Sequence, residues 1–167
     1  MPREPNRWSI EQDIYERALR SRGELRKLEH DPKGALERAL GEPLPPEIEV
    51  RVAFDSRHKL HQVVPFTGHA MLGSIAPPKG DEAIPALRGL SVEAAERMVR
   101  DPEFRDRLLA DPTGFARFGL HTLPFPEDVE VEVLTEDAQT IWLVVPLFDR
   151  RIMRRGRGRD RHRRHDR

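Results

Sequence analysis

With 167 residues, 37% of them hydrophobic and 35% charged, the chain can bury one ordinary core or two thin ones. It contains no cysteine, which excludes disulfides, thiolate metal sites and cysteine nucleophiles. Its formal charge of zero is unevenly divided: residues 150–167 hold ten Arg and two Asp, net +8, leaving 19 Lys plus Arg against 27 Asp plus Glu, net −8, for the rest.

No apolar window is long enough for a transmembrane helix; the longest run, Ile141 to Phe148, is interrupted by Pro146 and suits a strand. Met1-Pro2-Arg3-Glu4-Pro5 lacks the apolar segment of a secretory signal, so a cytoplasmic location and no membrane partner are expected.

Residues 1–7 read as a flexible N-terminus. Ser9 is a good N-cap with Gln12 three residues on, a capping-box pattern, and Ile10, Ile14, Leu19, Leu25 and Leu28 give an imperfect apolar face to one helix. Asp31-Pro32 starts a short second helix carrying Ala35, Leu36, Ala39 and Leu40, which Gly41 can end. Ile48, Val50, Val52 and Phe54 then alternate with Glu49 and Arg51, and the turn-like Asp55–His58 leads into a return strand, Lys59–Phe66. A Pro/Gly-rich linker over residues 67–89 follows, with Met71, Leu72 and Ile75 as its docking point. Ser91 opens the next helix, and Asp101-Pro102 restarts it with Phe104, Leu108 and Leu109 as its apolar spacing. Asp111-Pro112 begins another short helix that Gly119 ends. Val129, Val131 and Val133 alternate with Glu130 and Glu132, and the connection Glu136–Gln139 leads to a return strand, Thr140–Leu147. Residues 148–167 read as a disordered basic tail.

The chain matches itself. Glu16-Arg17-x-x-Arg20 falls on Glu96-Arg97-x-x-Arg100 at a shift of 80, as does Leu28-x-x-Asp31-Pro32-x-Gly34 on Leu108-x-x-Asp111-Pro112-x-Gly114. At a shift of 81, Ile48-Glu49-Val50-x-Val52 falls on Val129-Glu130-Val131-x-Val133, and Val63-Val64-Pro65 on Val144-Val145-Pro146. Ordered matches with one inserted residue point to a duplication. The expected fold is α+β: two tandem helix–helix–hairpin units over residues 8–66 and 90–147. The hairpins are free to join into one four-stranded antiparallel sheet.

The ordered set Leu108, Asp111, Pro112, Leu123, Pro124, Val129, Val131, Val133, Val144, Val145 and Pro146 resembles the N-terminal part of the nitrile hydratase alpha subunit. It is closer still to the nitrile-hydratase-like leader domains of ribosomally made, modified peptide precursors. A weaker version runs from Leu28 to Pro65. In nitrile hydratases this region leads into a C-x-x-C-S-C segment that binds iron or cobalt. Here Thr67–Leu72 and Phe148–Arg151 stand in its place without a thiolate, so the family's metal chemistry is excluded and no cofactor is expected. Beyond Pro146 there is also no Cys, Ser or Thr for azole or lanthionine formation. The resemblance therefore implies a non-catalytic recognition module engaging a processing, export or assembly partner. Two alternatives are a metal-free structural subunit derived from the alpha chain, held in a larger complex or homo-oligomer, and a non-specific nucleic-acid binder acting through the tail.

Candidate partner-binding residues are Trp142, Phe104, Leu108 and Phe115; tryptophan in particular is enriched at interface hot spots. The candidate electrostatic residues are Arg154, Arg155, Arg157, Arg159, Arg161, Arg163 and Arg164, which can release counterions from nucleic acid but have no aromatic neighbour to stack on bases. His58 and His61 fall on opposite strand faces, a poor geometry for one metal, while His69 and His121 read as solvated loop residues. His162 and His165 lack a third ordered ligand. Ser74 lacks the glycine pattern of a nucleophile elbow.

Overall fold

Asn6, rather than Ser9, starts the first helix of the computed structural model, which describes residues 6–73, 97–115 and 127–146. The Asn6 side chain accepts from Ser9 N at 3.1 Å. Asn and Ser cap comparably well, and the earlier start carries Arg7 and Trp8 into buried positions. Gln12 bonds Glu16 on the exposed face and takes no part in a capping box. Helix α1 (Arg7–Arg20) ends at Ser21, whose hydroxyl accepts from Glu24 N and caps α2 (Arg22–His30). The imperfect single face is thus two sound faces on two axes. Ile14, Tyr15, Ala18 and Leu28 are buried, whereas Leu19 is 38% exposed.

Asp31 caps α3 (Pro32–Leu40) through Gly34 N at 2.9 Å, and Gly41, at φ +77°, closes it in the left-handed conformation. Asp101 caps α4 (Pro102–Ala110) through Phe104 N, and Asp111 accepts from Gly114 N at the head of α5 (Pro112–Phe115). A Cβ on Gly34 or Gly114 would overlap the capping carboxylate of Asp31 or Asp111. The Asp-Pro-x-Gly motif is therefore one device: the proline starts the helix, the aspartate caps it, and the glycine leaves room for the cap.

The strands among the described residues are β1 (Glu49–Phe54), β2 (Lys59–Val64), β3 (Glu130–Thr135) and β4 (Thr140–Val145). They correct the expected antiparallel hairpins. Neither β1–β2 nor β3–β4 forms a ladder; β1 pairs with β4 and β2 with β3, both in parallel, as two two-stranded sheets. Alternation along a strand fixes which face is buried, and it is silent on which strand lies alongside. Here the connections at 55–58 and 136–139 carry the chain from one sheet to the other.

The two pairings share one rule. Glu49 faces Thr140; moving the first forward and the second back by 81 residues gives Glu130 facing Lys59, which is the observed register of the other sheet. Equivalent backbone bonds accompany it: Asp55 N donates to Val145 O and Glu136 N to Val64 O, while Glu49 N donates to Gln139 O and Glu130 N to His58 O. The halves are interleaved, and neither is a self-contained unit.

Each sheet has its own core. Val50, Ile141, Leu143 and Val145 of β1 and β4 pack with Ile14, Tyr15, Leu28 and Leu36 from α1–α3. Val64 of β2 joins Met98, Phe104 and Leu108, with Val133 packed alongside. Leu72, in a 3-10 turn over Ala70–Leu72, is buried in the first core with Met71 against it, so the start of the expected linker belongs to the fold. Ser74, Ile75, Ser91, Gly119, His121 and the tail arginines lie outside the described residues. No described helix is long and apolar enough to cross a membrane.

If the glycine serves the cap, its effect depends on the aspartate. In an Asp31→Ala background, Gly34→Ala should stabilise by the usual helix-propensity difference, about 1 kcal/mol. With Asp31 present, loss of the cap, also about 1 kcal/mol, should cancel that gain. A double-mutant cycle on denaturant midpoints measures the coupling, and additive effects would contradict it.

Candidate functional site

Among the described residues three places carry polar chemistry, and the first is closed. Glu136, in the β3–β4 connection, has a fully buried side chain. Its Oε1 accepts from Arg7 Nη1 at 2.6 Å and Phe66 N at 3.1 Å; its Oε2 accepts from Arg7 Nη2 at 2.7 Å and Trp142 N at 2.7 Å. Arg7 also donates to Glu11 at 2.9 Å and to Trp142 O at 3.2 Å. Burial alone would favour loss of the Arg7 proton, but the charge of Glu11 and the bond to Glu136 outweigh it and hold Arg7 above the ordinary arginine range. A fork-to-fork pair with every carboxylate lone pair engaged has nothing left for a substrate. It is a structural lock.

The same residues seal the outer edge of β4. Thr140 O accepts from His69 Nε2 at 3.3 Å, Trp142 N and O are held by Glu136 and Arg7, and Val144 N donates to Tyr15 OH at 2.9 Å. Since a carbonyl only accepts, His69 carries its proton on Nε2. His69 is buried, with Phe66 edge-on at 5.0 Å, and so is no solvated loop histidine. An incoming strand finds these four backbone groups of β4 already taken.

The second place is the counterpart of the first. Asp55 stands 81 residues before Glu136, and His61 the same distance before Trp142. Asp55 Oδ1 accepts from His61 N at 2.8 Å and lies 3.0 Å from His61 Nδ1. His61 Nε2 lies 3.6 Å from Glu132 Oε2, which binds Lys59 Nζ at 2.6 Å. Burial pushes the Asp55 carboxyl above its usual range, against the bonds from His61 that pull it down. The bond from Lys59 holds the exposed Glu132 below its own. This Asp–His–Glu–Lys chain spans both halves of the sequence. Its imidazole is bonded to Asp55 at Nδ1 and lies within ion-pair distance of Glu132 at Nε2. Among the described residues no group of three His, Cys, Asp or Glu is placed to hold a metal ion.

The third place is open. A groove over α1, α2 and α3 has Ile14, Ala18, Leu28, Ala35 and Ala39 as its floor. Arg17, Lys27, Arg38 and Glu24 form its rim, three cations against one acid. Lys27 binds Glu24 at 2.6 Å, and Arg38 is 3.9 Å from Asp31.

The residues singled out in the sequence are dispersed. Phe104 and Leu108 are buried in the second core, and the Arg97 guanidinium lies 4.1 Å from the Phe104 ring centroid. A partner could reach either only by displacing that core. Trp142 is half-buried on β4, facing away from the buried Ile141 and Leu143, with the Arg51 guanidinium 5.7 Å from its ring centroid. Phe115 ends α5. Arg154, Arg155, Arg157, Arg159, Arg161, Arg163 and Arg164 lie outside the described residues. Arg7 was not distinguished by sequence, Asp55 and Glu136 read only as residues of the strand connections, and His61 read only as a poor metal ligand. The signal for Asp55, Glu136 and His61 was present: an acid occupies the same place in both strand connections, and its partner the same place in both return strands.

The chain is similar in structure to a double mutant of the Fe-type nitrile hydratase from Comamonas testosteroni Ni1, with a TM-score of 0.48 and 16% identity over 88% of this chain. It spans 62% of that chain's length. No protein-family model and no curated protein matches it.

Two outcomes follow from the lock and its counterpart. Glu136→Gln should destabilise by about 3 kcal/mol, because the buried Arg7 loses its fork-to-fork carboxylate and keeps only Glu11 as counter-charge; denaturant unfolding measures it. Asp55 binds its proton more tightly folded than unfolded, so its ionisation costs stability. The wild type should therefore lose stability relative to Asp55→Asn as pH rises from about 3.8 through the raised pKa, and the difference should be flat below that window. A difference that grows in the wild type's favour with rising pH would contradict the assignment.

Proposed function

We propose that the chain is a non-catalytic recognition module, resembling the leader region of a modified-peptide precursor, which engages a processing or export partner through the face of α1–α3. The groove carries this reading. It joins an apolar floor to a rim of Arg17, Lys27 and Arg38, features that suit a partner surface with one apolar side chain flanked by acids. The other two polar places favour it indirectly, since Glu136 is closed on protein groups and His61 is held between two carboxylates. Strand addition is the less favoured mode, because the outward backbone groups of β4 are engaged by Tyr15, His69, Arg7 and Glu136. We infer also that the halves are copies of one unit that have since diverged. The constant offset between the two strand registers and the paired Asp55 and Glu136 connections support this.

Wild-type protein immobilised at low density should retain a specific partner from the native cytosol. Arg17→Glu/Arg38→Glu should lower that retention at least tenfold while leaving the circular-dichroism melt in place. Equal retention by both proteins would remove the groove from the account, and retention of nothing specific by the wild type would remove the recognition role.

A further inference from the structure

We propose that the chain takes a second copy of itself as a partner by exchanging halves, the first half of each molecule pairing with the second half of the other. The argument begins with what each half lacks. Residues 6–73 contain β1 and β2, which form no ladder with one another, and β3 and β4 likewise do not pair. Among the described residues every strand-to-strand ladder joins one half to the other, and polar contacts beside them do the same: Arg7 with Glu136, Tyr15 OH with Val144 N, His69 with Thr140 O and Lys59 with Glu132. None of these contacts requires that both halves belong to one molecule. Between Gly73 and Arg97 lie 23 residues, whose contour of about 80 Å at full extension is long enough to join halves of different molecules. A reciprocal exchange satisfies every interface of the monomer twice and closes as a two-fold dimer. In that dimer the Asp55–His61–Glu132–Lys59 chain and the Glu136 lock are each built from two molecules.

The pairing is selective, which fixes the form of the dimer. If two first halves met, the 81-residue rule would set Val50 against Leu60 of the other molecule and Val52 against Gln62, which would take the place of Leu143. Leu143 is 1% exposed among Ile14, Tyr15 and Leu28, so Gln62, already fully buried in its own sheet, would exchange those surroundings for an apolar core. Lys59 would also meet Arg51, the counterpart of Glu132, and lose an ion pair for a like charge. First-with-second is therefore the favoured combination, within a chain or between chains.

The absence of native cysteine makes the test direct. Glu49→Cys/Thr140→Cys places one thiol on each of two facing β1 and β4 residues. The variant is unfolded in denaturant, refolded across a series from about 1 μM to about 1 mM, which reaches the effective concentration of tethered partners, and then oxidised. Disulfide-linked monomer at the low end, giving way at the high end to a dimer held by two 49–140 disulfides, is the expected result. The control Val50→Cys/Leu60→Cys, which reports first-with-first pairing, should give no interchain link. Intrachain disulfide alone throughout the series would overturn the proposal, as would dimers lacking the 49–140 link or formation of the 50–60 link. Should the cysteine pair impair folding, light scattering of the wild type over the same series decides: a monomer at every concentration refutes exchange, and a dimer that persists on dilution supports it.

Discussion

The two carboxylate oxygens of Glu136 hold four donors from three parts of the chain, and the arrangement of the strands depends on them. Arg7 comes from the start of α1, Phe66 from the end of the first half, and Trp142 from β4. A buried ion pair is a poor source of net stability, because desolvation offsets most of its attraction. Its contribution is position. With Glu136 N bonded to Val64 O, the residue that turns the chain from β3 to β4 is tied to the end of β2 by its backbone and to α1 by its side chain. The connection is thereby held in a form that sends β4 to β1 and away from β3.

The interleaving has a thermodynamic consequence. A parallel pair between residues 91 apart, such as Glu49 and Thr140, must offset a large loop-closure entropy before it contributes anything. The helices, in contrast, are specified locally, each with its own cap at Asn6, Ser21, Asp31, Asp101 or Asp111. The ladders therefore depend on the two halves meeting, whereas the caps do not. The burial pattern agrees with that dependence: Ile141, Leu143 and Val145 of β4 complete the core of the helices of the first half, and Val64 of β2 completes that of the second. Removing either half would leave the other with an open core.

Much of this was legible in the sequence. Caps at Asp31, Asp101 and Asp111, the stop at Gly41, the strand positions and their inward faces all follow from residue type and spacing. The start at Asn6 was missed because two adequate caps stood one turn apart, and burial of Trp8 selected between them. Strand partners were not legible, since a period of two defines faces and leaves neighbours open. The Arg7–Glu136 pair spans 129 residues and leaves no local trace. The self-match of the sequence did hold the needed information in another form: an offset of 81 is shared by Asp55 with Glu136 and by His61 with Trp142. Of the candidate binding residues, Phe104 and Leu108 are core and Trp142 lies at the surface, a distinction that apolar spacing alone does not draw.

Parallel pairing between the halves is the claim on which the lock, the two cores and the exchange all rest. Inter-strand nuclear Overhauser contacts in isotopically labelled full-length protein test it most directly. The account predicts backbone contacts linking Val50 with Ile141 and Leu60 with Val131, in the parallel pattern. A ladder of contacts running antiparallel from Phe54 and Lys59 back along β1 and β2 would contradict it.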